Sequence, residues 1–461
     1  MNILSKREKF SSELITLLAM LSGSVGIGSI IKFPTTVAEN GGAIFIFFYF
    51  IGLIFIGIPA FFGELLIGKK GHSNVINSYV YSGKNKTWAI NGVLSAIASL
   101  LVLTFYSLFA SWILRYFCLA SFGCLDNVSL KTATDIFENF LNSSEPYIWF
   151  VLFVVIVGII SSMGIKNGLE KAIKFLIPIF LIVIVVLIIK SFISSGASSA
   201  IKFLLFPDFS KLNFAVIINA IGLSFFKLTL GSGVMVTYGS YAGTQFNILK
   251  NCFKVAFLDL IISILMGFII FSSFFSADNT ESLKQSGFGL LFETIPVLFN
   301  NSSIDKLFLI IFFGAIFFVA LLGALPLIEV TISALQEKSK FNRPVASFLV
   351  VFALCLLGLI PSLSGSIFQF LNESNLHLFI CKTQVNGIIN VMDKIICNFI
   401  LPLSGIGTMF LVGYKIKEKR VKREIKKYTR NEKISNSFYY ILKLSPILLL
   451  LIVIYSSGIL S

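Results

Sequence analysis

The stretch Leu21-Ser22-Gly23-Ser24-Val25-Gly26-Ile27-Gly28-Ser29 lies inside a long apolar run, and its small residues and Gly-x-Gly spacing read as a helix that stops and restarts. A second stretch far downstream, Leu228-Thr229-Leu230-Gly231-Ser232-Gly233, has the same character. Glycine has no Cβ and tolerates unwound backbone, whereas hydrocarbon demands that every N–H and C=O be satisfied within the protein. Small residues also let membrane helices pack closely, so one such stretch does not decide between a break and a tight contact. Two of them, in the first and the sixth apolar run, favour breaks, because inverted five-helix repeats place discontinuous helices at corresponding positions.

The rest of the chain supplies the setting. Of 461 residues, 56% are hydrophobic and 13% charged, and the mean hydropathy is +0.92, a balance outside the range of soluble domains. Runs of about 20 apolar residues occur near 12 to 36, 42 to 68, 91 to 120, 147 to 163, 168 to 193, 212 to 240, 246 to 276, 305 to 336, 344 to 361, 385 to 414 and 438 to 458. The fold class that follows is an all-α membrane protein of about eleven transmembrane helices, with helices one and six broken. The chain reads as a single transmembrane domain over 1–461, with a first repeat near 10–195, a second near 210–414 and an extra C-terminal helix near 438–458.

The net charge of +15 comes from 37 Lys and Arg against 22 Asp and Glu, and its placement matters more than its size. Ten basic residues from Lys415 to Lys433 fall between the last two spans. They alternate with Lys69, Lys70, Lys84, Lys86, Lys166, Lys250, Lys254, Lys338, Lys340 and Arg343 on the side of the N-terminus. The opposite loops carry Asp126, Asp135, Glu138, Glu145, Asp278, Glu281 and Glu373. By the positive-inside rule the N-terminus is cytoplasmic, and an odd number of spans puts the C-terminus outside an inner (plasma) membrane. The basic run reads as a topology determinant that meets anionic lipid headgroups, and no nucleic-acid partner is expected. No cleavage pattern follows the polar start that carries Lys6, Arg7 and Lys9. The six Cys show no metal spacing. A pairing among Cys118, Cys124 and Cys381 stays open, and no cofactor is expected.

Half-helix N-termini at a midplane break bind anionic groups, and unwound carbonyls bind cations. The freed N–H groups of Ile27 and Gly28 are therefore candidates to hold a carboxylate. His72 and His377 lie outside the spans and away from other acid, base or metal-ligand candidates, which argues against an enzyme. No filter-like sequence or charge ring suggests a channel.

The order and spacing of several motifs resemble the neurotransmitter:sodium symporter family, in its bacterial eleven-helix form. They are Gly26-Ile27-Gly28-Ser29-Ile30-Ile31-Lys32-Phe33-Pro34, Glu39-Asn40-Gly41-Gly42-Ala43, Gly57-Ile58-Pro59 with Glu64-Leu65, Phe105-Tyr106-Ser107 with Trp112, Gly168-Leu169-Glu170-Lys171, Phe225 to Gly233 with Tyr238-Gly239-Ser240-Tyr241, and Asp393 before Leu401-Pro402-Leu403-Ser404-Gly405. The resemblance implies a secondary transporter of amino acids or related small amines. It places the substrate carboxylate on the Ile27 and Gly28 backbone and the Tyr106 hydroxyl, beside Ser24, under a lid formed by Phe226. Val102, Thr229, Ser232 and Leu327 would set side-chain specificity, with the small Ser232 implying a roomier pocket. The outer gate would be Lys32 with Asp393, looser or water-bridged because lysine lacks the guanidinium fork. The inner gate would join Arg7 to Glu337, with Tyr241 and Glu329 nearby.

The ion positions depart from the family pattern. Where the family's first sodium site has an Asn, a hydroxyl residue and an Asn or Asp, this chain has Ser29, Lys227 and Asp259. At the second site two helix-eight hydroxyls are replaced by Leu322 and Gly323, leaving chiefly the backbone carbonyls around Ser22 and Val25, a poor oxygen set for a hard cation. Leu223 and Ser263 stand at two further altered positions, which puts chloride dependence in doubt as well. A midplane lysine demands a partner or an altered protonation state, and Asp259 is the natural partner. The hypothesis that follows is that Lys227 takes the place of the first sodium and that transport is proton-coupled or uncoupled. A conventional sodium symporter with weakened ion sites, and a non-transporting amino-acid sensor of the same fold, remain open from sequence.

Overall fold

The computed structural model describes residues 8–243, 246–276, 290–298, 303–339, 341–373, 375–377 and 384–456. Lys6, Arg7, Asp278, Glu281, Lys340 and Cys381 lie outside them. The chain is built from helices α1 (Glu13–Ser24), α2 (Gly28–Glu39), α3 (Ala43–Gly71), α4 (Val75–Gly83), α5 (Lys86–Ser121), α6 (Leu130–Leu141), α7 (Glu145–Ser162), α8 (Ile165–Ile193) and α9 (Ala197–Leu205). After these come α10 (Phe214–Phe226), α11 (Val234–Tyr241), α12 (Ile248–Ser276), α13 (Ser303–Ser339), α14 (Arg343–Ser362), α15 (Ile388–Lys415), α16 (Glu418–Thr429) and α17 (Glu432–Ser456). Strands β1 (Asn375–His377) and β2 (Gln384–Asn386) form a short antiparallel pair before α15.

Among the described residues, nine helices are long and apolar enough to cross a membrane, and the α1–α2 pair, bent by 58°, passes the same test as one broken span. The α10–α11 pair is interrupted over 227–233 and begins with the shorter apolar helix Phe214–Phe226. The first break follows from local chemistry. Ser12 caps α1 by accepting the Ile15 N–H, and the helix ends where Val25 turns extended. In the second break Gly231 (φ +83°) and Gly233 (φ +75°) occupy the left-handed region that glycine favours. A Cβ on Gly231 would lie 2.2 Å from the Leu401 carbonyl oxygen, so a side chain there has no room. Thr229 takes φ +57°, an outlier for a β-branched residue that its neighbours must hold in place.

Burial separates the inner helices from the outer ones. The most apolar stretch of α12 is 72% buried and that of α8 only 33%, so α12 belongs to the centre while α8 turns Phe175, Ile182 and Ile189 outward as a hydrocarbon surface. Helices α3, α8, α12 and α13 pack on the two broken spans, and α5 reaches the first of them through Tyr106. Helix α16 crosses the end of the bundle between α15 and α17, burying Val421 and Ile425 and exposing Lys419, Arg423 and Lys426.

Candidate substrate and ion site

The two breaks face each other across a cavity of about 50 Å³ lined by Gly23, Ser24, Gly26, Gly28, Val102, Tyr106, Phe226, Lys227, Thr229, Gly323, Leu327 and Leu401. Seven of the nine residues expected from sequence for substrate binding line it: Ser24, Gly28, Val102, Tyr106, Phe226, Thr229 and Leu327. Ile27 takes part through its backbone, with its N–H donating to the Tyr106 hydroxyl at 3.3 Å. Ser232 is tucked behind the wall instead. Between two left-handed glycines its side chain turns back, and its hydroxyl donates to the Thr229 carbonyl at 2.5 Å. A direct effect of Ser232 on pocket width is therefore not part of this geometry.

The breaks are stitched to each other. The Thr229 hydroxyl donates to the Gly23 carbonyl, which joins the second unwound stretch to the first. Tyr106 is fitted just as closely, because a Cβ on Gly26 would lie 3.0 Å from its hydroxyl and one on Gly323 only 2.3 Å. That hydroxyl also donates to the Val319 carbonyl at 3.4 Å. Gly323 thus makes room for Tyr106 rather than offering an oxygen, and Leu322 is an apolar buried residue. Nearby, the Ser22 hydroxyl donates to the Ala19 carbonyl at 2.8 Å, and Val25 bonds back to Leu21 through its N–H at 2.7 Å.

Between Ser29 and Asp259 an ammonium is in place. The Lys227 Nζ lies 2.6 Å from the Asp259 Oδ2 and 3.3 Å from the Asp259 carbonyl. The Ser29 hydroxyl donates to Oδ1 of the same carboxylate at 2.9 Å. Both charged side chains are fully buried. The ammonium also stands over the rings of Phe33 (4.9 Å) and Tyr49 (5.4 Å), a cation–π setting. Lys227 therefore both lines the cavity and pairs with Asp259.

Each end of the site is closed. Toward one end Lys32 contacts Asp393 directly at 2.8 Å, which corrects the expectation of a looser or water-bridged gate. Lysine needs no fork here because Cys397, one helical turn after Asp393, also donates to that carboxylate at 3.0 Å. The Lys32 ammonium rests 4.2 Å from the Phe226 ring centroid. Phe226 lines both the central cavity and a vestibule of about 490 Å³ that also exposes Lys32, Asp393 and Cys397. It is the partition between them.

Toward the other end the Tyr241 hydroxyl donates to Glu329 at 2.7 Å, and Arg343 pairs with the same carboxylate. Sequence reasoning had placed Arg343 only in a basic loop. Its position as the first residue of α14, facing the interior, was not legible there. Glu337 accepts from the Ser73 hydroxyl at 2.6 Å and the Asn74 N–H at 2.9 Å, and its expected partner Arg7 lies outside the described residues.

The sequence matches the profile of the Sodium:neurotransmitter symporter family over residues 7–126 and 127–459. An uncharacterized sodium-dependent transporter of Haemophilus influenzae is 31% identical, with 97% of this chain and 98% of that protein aligned. Another, YhdH of Bacillus subtilis, is 27% identical over 99% of each. Among solved structures, that of MhsT in complex with L-phenylalanine superimposes with a TM-score of 0.87 at 30% identity, covering 98% of this chain and 100% of MhsT.

Proposed function

Because the chain belongs to the sodium:neurotransmitter symporter family, we propose that it is a secondary transporter that moves an amino acid by alternating access, with the Lys227 ammonium standing where the family binds its first sodium. The observation that carries this reading is the cavity between the breaks. At one side it offers the Tyr106 hydroxyl and a lysine, which suit a carboxylate, and at the other the apolar walls of Val102, Leu327 and Leu401. An apolar or aromatic amino acid fits that division, and the bound phenylalanine of MhsT points the same way. The domain reads as one transporter unit over 1–461, with repeats near 10–195 and 210–414. Its N-terminus is cytoplasmic and its C-terminus outside, so that Lys32 with Asp393 forms the outer gate.

The energetics favour a fixed internal cation. A buried ion pair is costly to break, about 3–5 kcal/mol when one partner is lost, so Lys227 and Asp259 stay together as a pair. A sodium ion at this position would meet the ammonium head-on, and at the second position Leu322 and Gly323 bring no hydroxyl while that of Ser22 is turned to the Ala19 carbonyl. Transport then runs without sodium, on a proton gradient or as exchange. A built closure on each side of the pocket supports a transporter over a sensor that only binds.

Uptake of an amino-acid panel into proteoliposomes, with choline replacing sodium at two pH gradients, tests the reading. Uptake that persists in choline and follows pH supports it. A strict sodium requirement overturns it, and binding without counterflow would mark a sensor.

A further inference from the structure

Four acidic side chains are buried among the described residues: Glu64, Glu170, Asp259 and Glu329. Three have a cation, since Asp259 holds Lys227, Glu329 holds Arg343, and Glu170 lies 3.7 Å from Lys174. Glu64, in the span α3 and only 1% exposed, has none among the described residues. Its Oε1 accepts the Gly231 N–H at 2.6 Å, and its Oε2 has no hydrogen-bond partner. The Met235 and Val236 N–H groups, in the first turn of α11, also face it.

The helices packed on α3 supply no counter-charge. From α4 the Tyr79 hydroxyl faces the carboxyl, though it is bonded to the Thr408 hydroxyl of α15 at 2.5 Å. On α11, Tyr241 is engaged with Glu329, and Tyr238 faces that same pair. On α12, Asp259 is neutralised by Lys227. The part of α15 that contacts α3, Leu401–Phe410, has no ionisable side chain. On α17, Tyr439 donates to the Gly413 carbonyl and Lys443 rests over the Tyr439 ring. On α3 itself, Lys69 donates to the Phe246 carbonyl at 2.6 Å.

Among the described residues, a carboxylate in this interior is thus held only by backbone N–H groups, and all of them belong to the broken sixth span. A buried charge without such donors is strongly disfavoured. We propose that Glu64 is the proton-binding group that links transport to pH, while Lys227 and Asp259 remain a fixed pair. This rests on the sodium-free transporter reading above.

On the return leg, with both gates closed, the N–H donors hold the carboxylate. When the sixth span opens to the outside, those donors withdraw, water reaches the site and the carboxylate takes one proton from hydronium there to form the neutral acid, which stays protonated as the loaded site closes. On opening to the inside the O–H bond breaks, the proton passes to water on that side, and the N–H groups of Gly231, Met235 and Val236 again face an anion as the transporter returns. Proton occupancy and gate position therefore bias each other, as linkage requires.

Glu64→Gln keeps an oxygen for the Gly231 N–H and cannot titrate. In proteoliposomes with choline in place of sodium, the ratio of gradient-driven accumulation to equal-pH exchange should fall about tenfold in this variant. An unchanged ratio overturns the proposal, even though sodium-free transport itself would stand. Infrared difference spectra of the purified protein on acidification give a readout that does not depend on what drives transport. A protonated-carboxyl band should be present in the natural protein, shifted in Glu64→Asp and missing in Glu64→Gln. The same band in all three contradicts the assignment.

Discussion

The Lys227 ammonium lies 2.6 Å from the Asp259 carboxylate, with both side chains sealed from solvent. Removing one partner strands the other. Lys227→Met should therefore destabilise the protein by about 3–5 kcal/mol, seen as a large fall in melting temperature in detergent. The double variant Lys227→Met with Asp259→Asn should recover most of that loss, giving a strongly non-additive cycle. Additive losses would mean that the two residues do not act as a pair.

The Lys32–Asp393 pair behaves differently because it is partly wet, with Lys32 33% and Asp393 32% exposed. Asp393→Asn should change stability by less than about 1 kcal/mol. Its effect should appear in access instead: Cys397 donates to Asp393 and lines the vestibule, so a membrane-impermeant thiol reagent should label it faster in the variant. Lys32→Arg, which keeps the charge, should leave the labelling rate near that of the natural protein.

Tyr106 connects the first break to α13. Tyr106→Phe removes the acceptor of the Ile27 N–H and should weaken amino-acid binding by about 1 kcal/mol, roughly fivefold. Gly323→Ala should weaken it at least as much, because the new methyl would sit 2.3 Å from the tyrosine oxygen and push the ring aside. The two changes share one cause, so titration of the double variant should show less than the sum.

Gly231→Ala meets two obstacles, a φ of +83° and a Cβ position 2.2 Å from the Leu401 carbonyl oxygen. A loss of about 2–3 kcal/mol or more is expected, measured as reduced yield of folded protein and a lower melting temperature. Gly222→Ala serves as the control, since the nearest atom to its Cβ lies 3.8 Å away.

Much of this architecture was legible in the sequence because lipid imposes long apolar runs, and a Gly-x-Gly inside such a run is conspicuous. The breaks, the span order and the pairing of Lys227 with Asp259 all follow from that grammar. What was hidden depends on which way a side chain turns once distant helices meet. Ser232 points back to Thr229 because of the dihedrals on either side of it, which no residue count shows. Cys397 joins the gate through its place one turn after Asp393, a spacing visible in the sequence but meaningful only once α15 faces α2. Glu64 did carry a signal of its own, since an acid in mid-span calls for a named partner. Its partner proved to be the backbone of the second break, and backbone donors leave no trace in a motif.

The central claim is that the pocket binds an amino acid with Lys227 as its resident cation. The most direct measurement is the affinity of the purified protein for L-phenylalanine and the other amino acids, read as thermal stabilisation in sodium chloride and in choline chloride at equal ionic strength. Stabilisation by at least one amino acid, with affinities equal in the two salts to within about twofold, is the predicted result. Binding that is tenfold or more tighter in sodium, or no stabilisation by any amino acid in either salt, would contradict it.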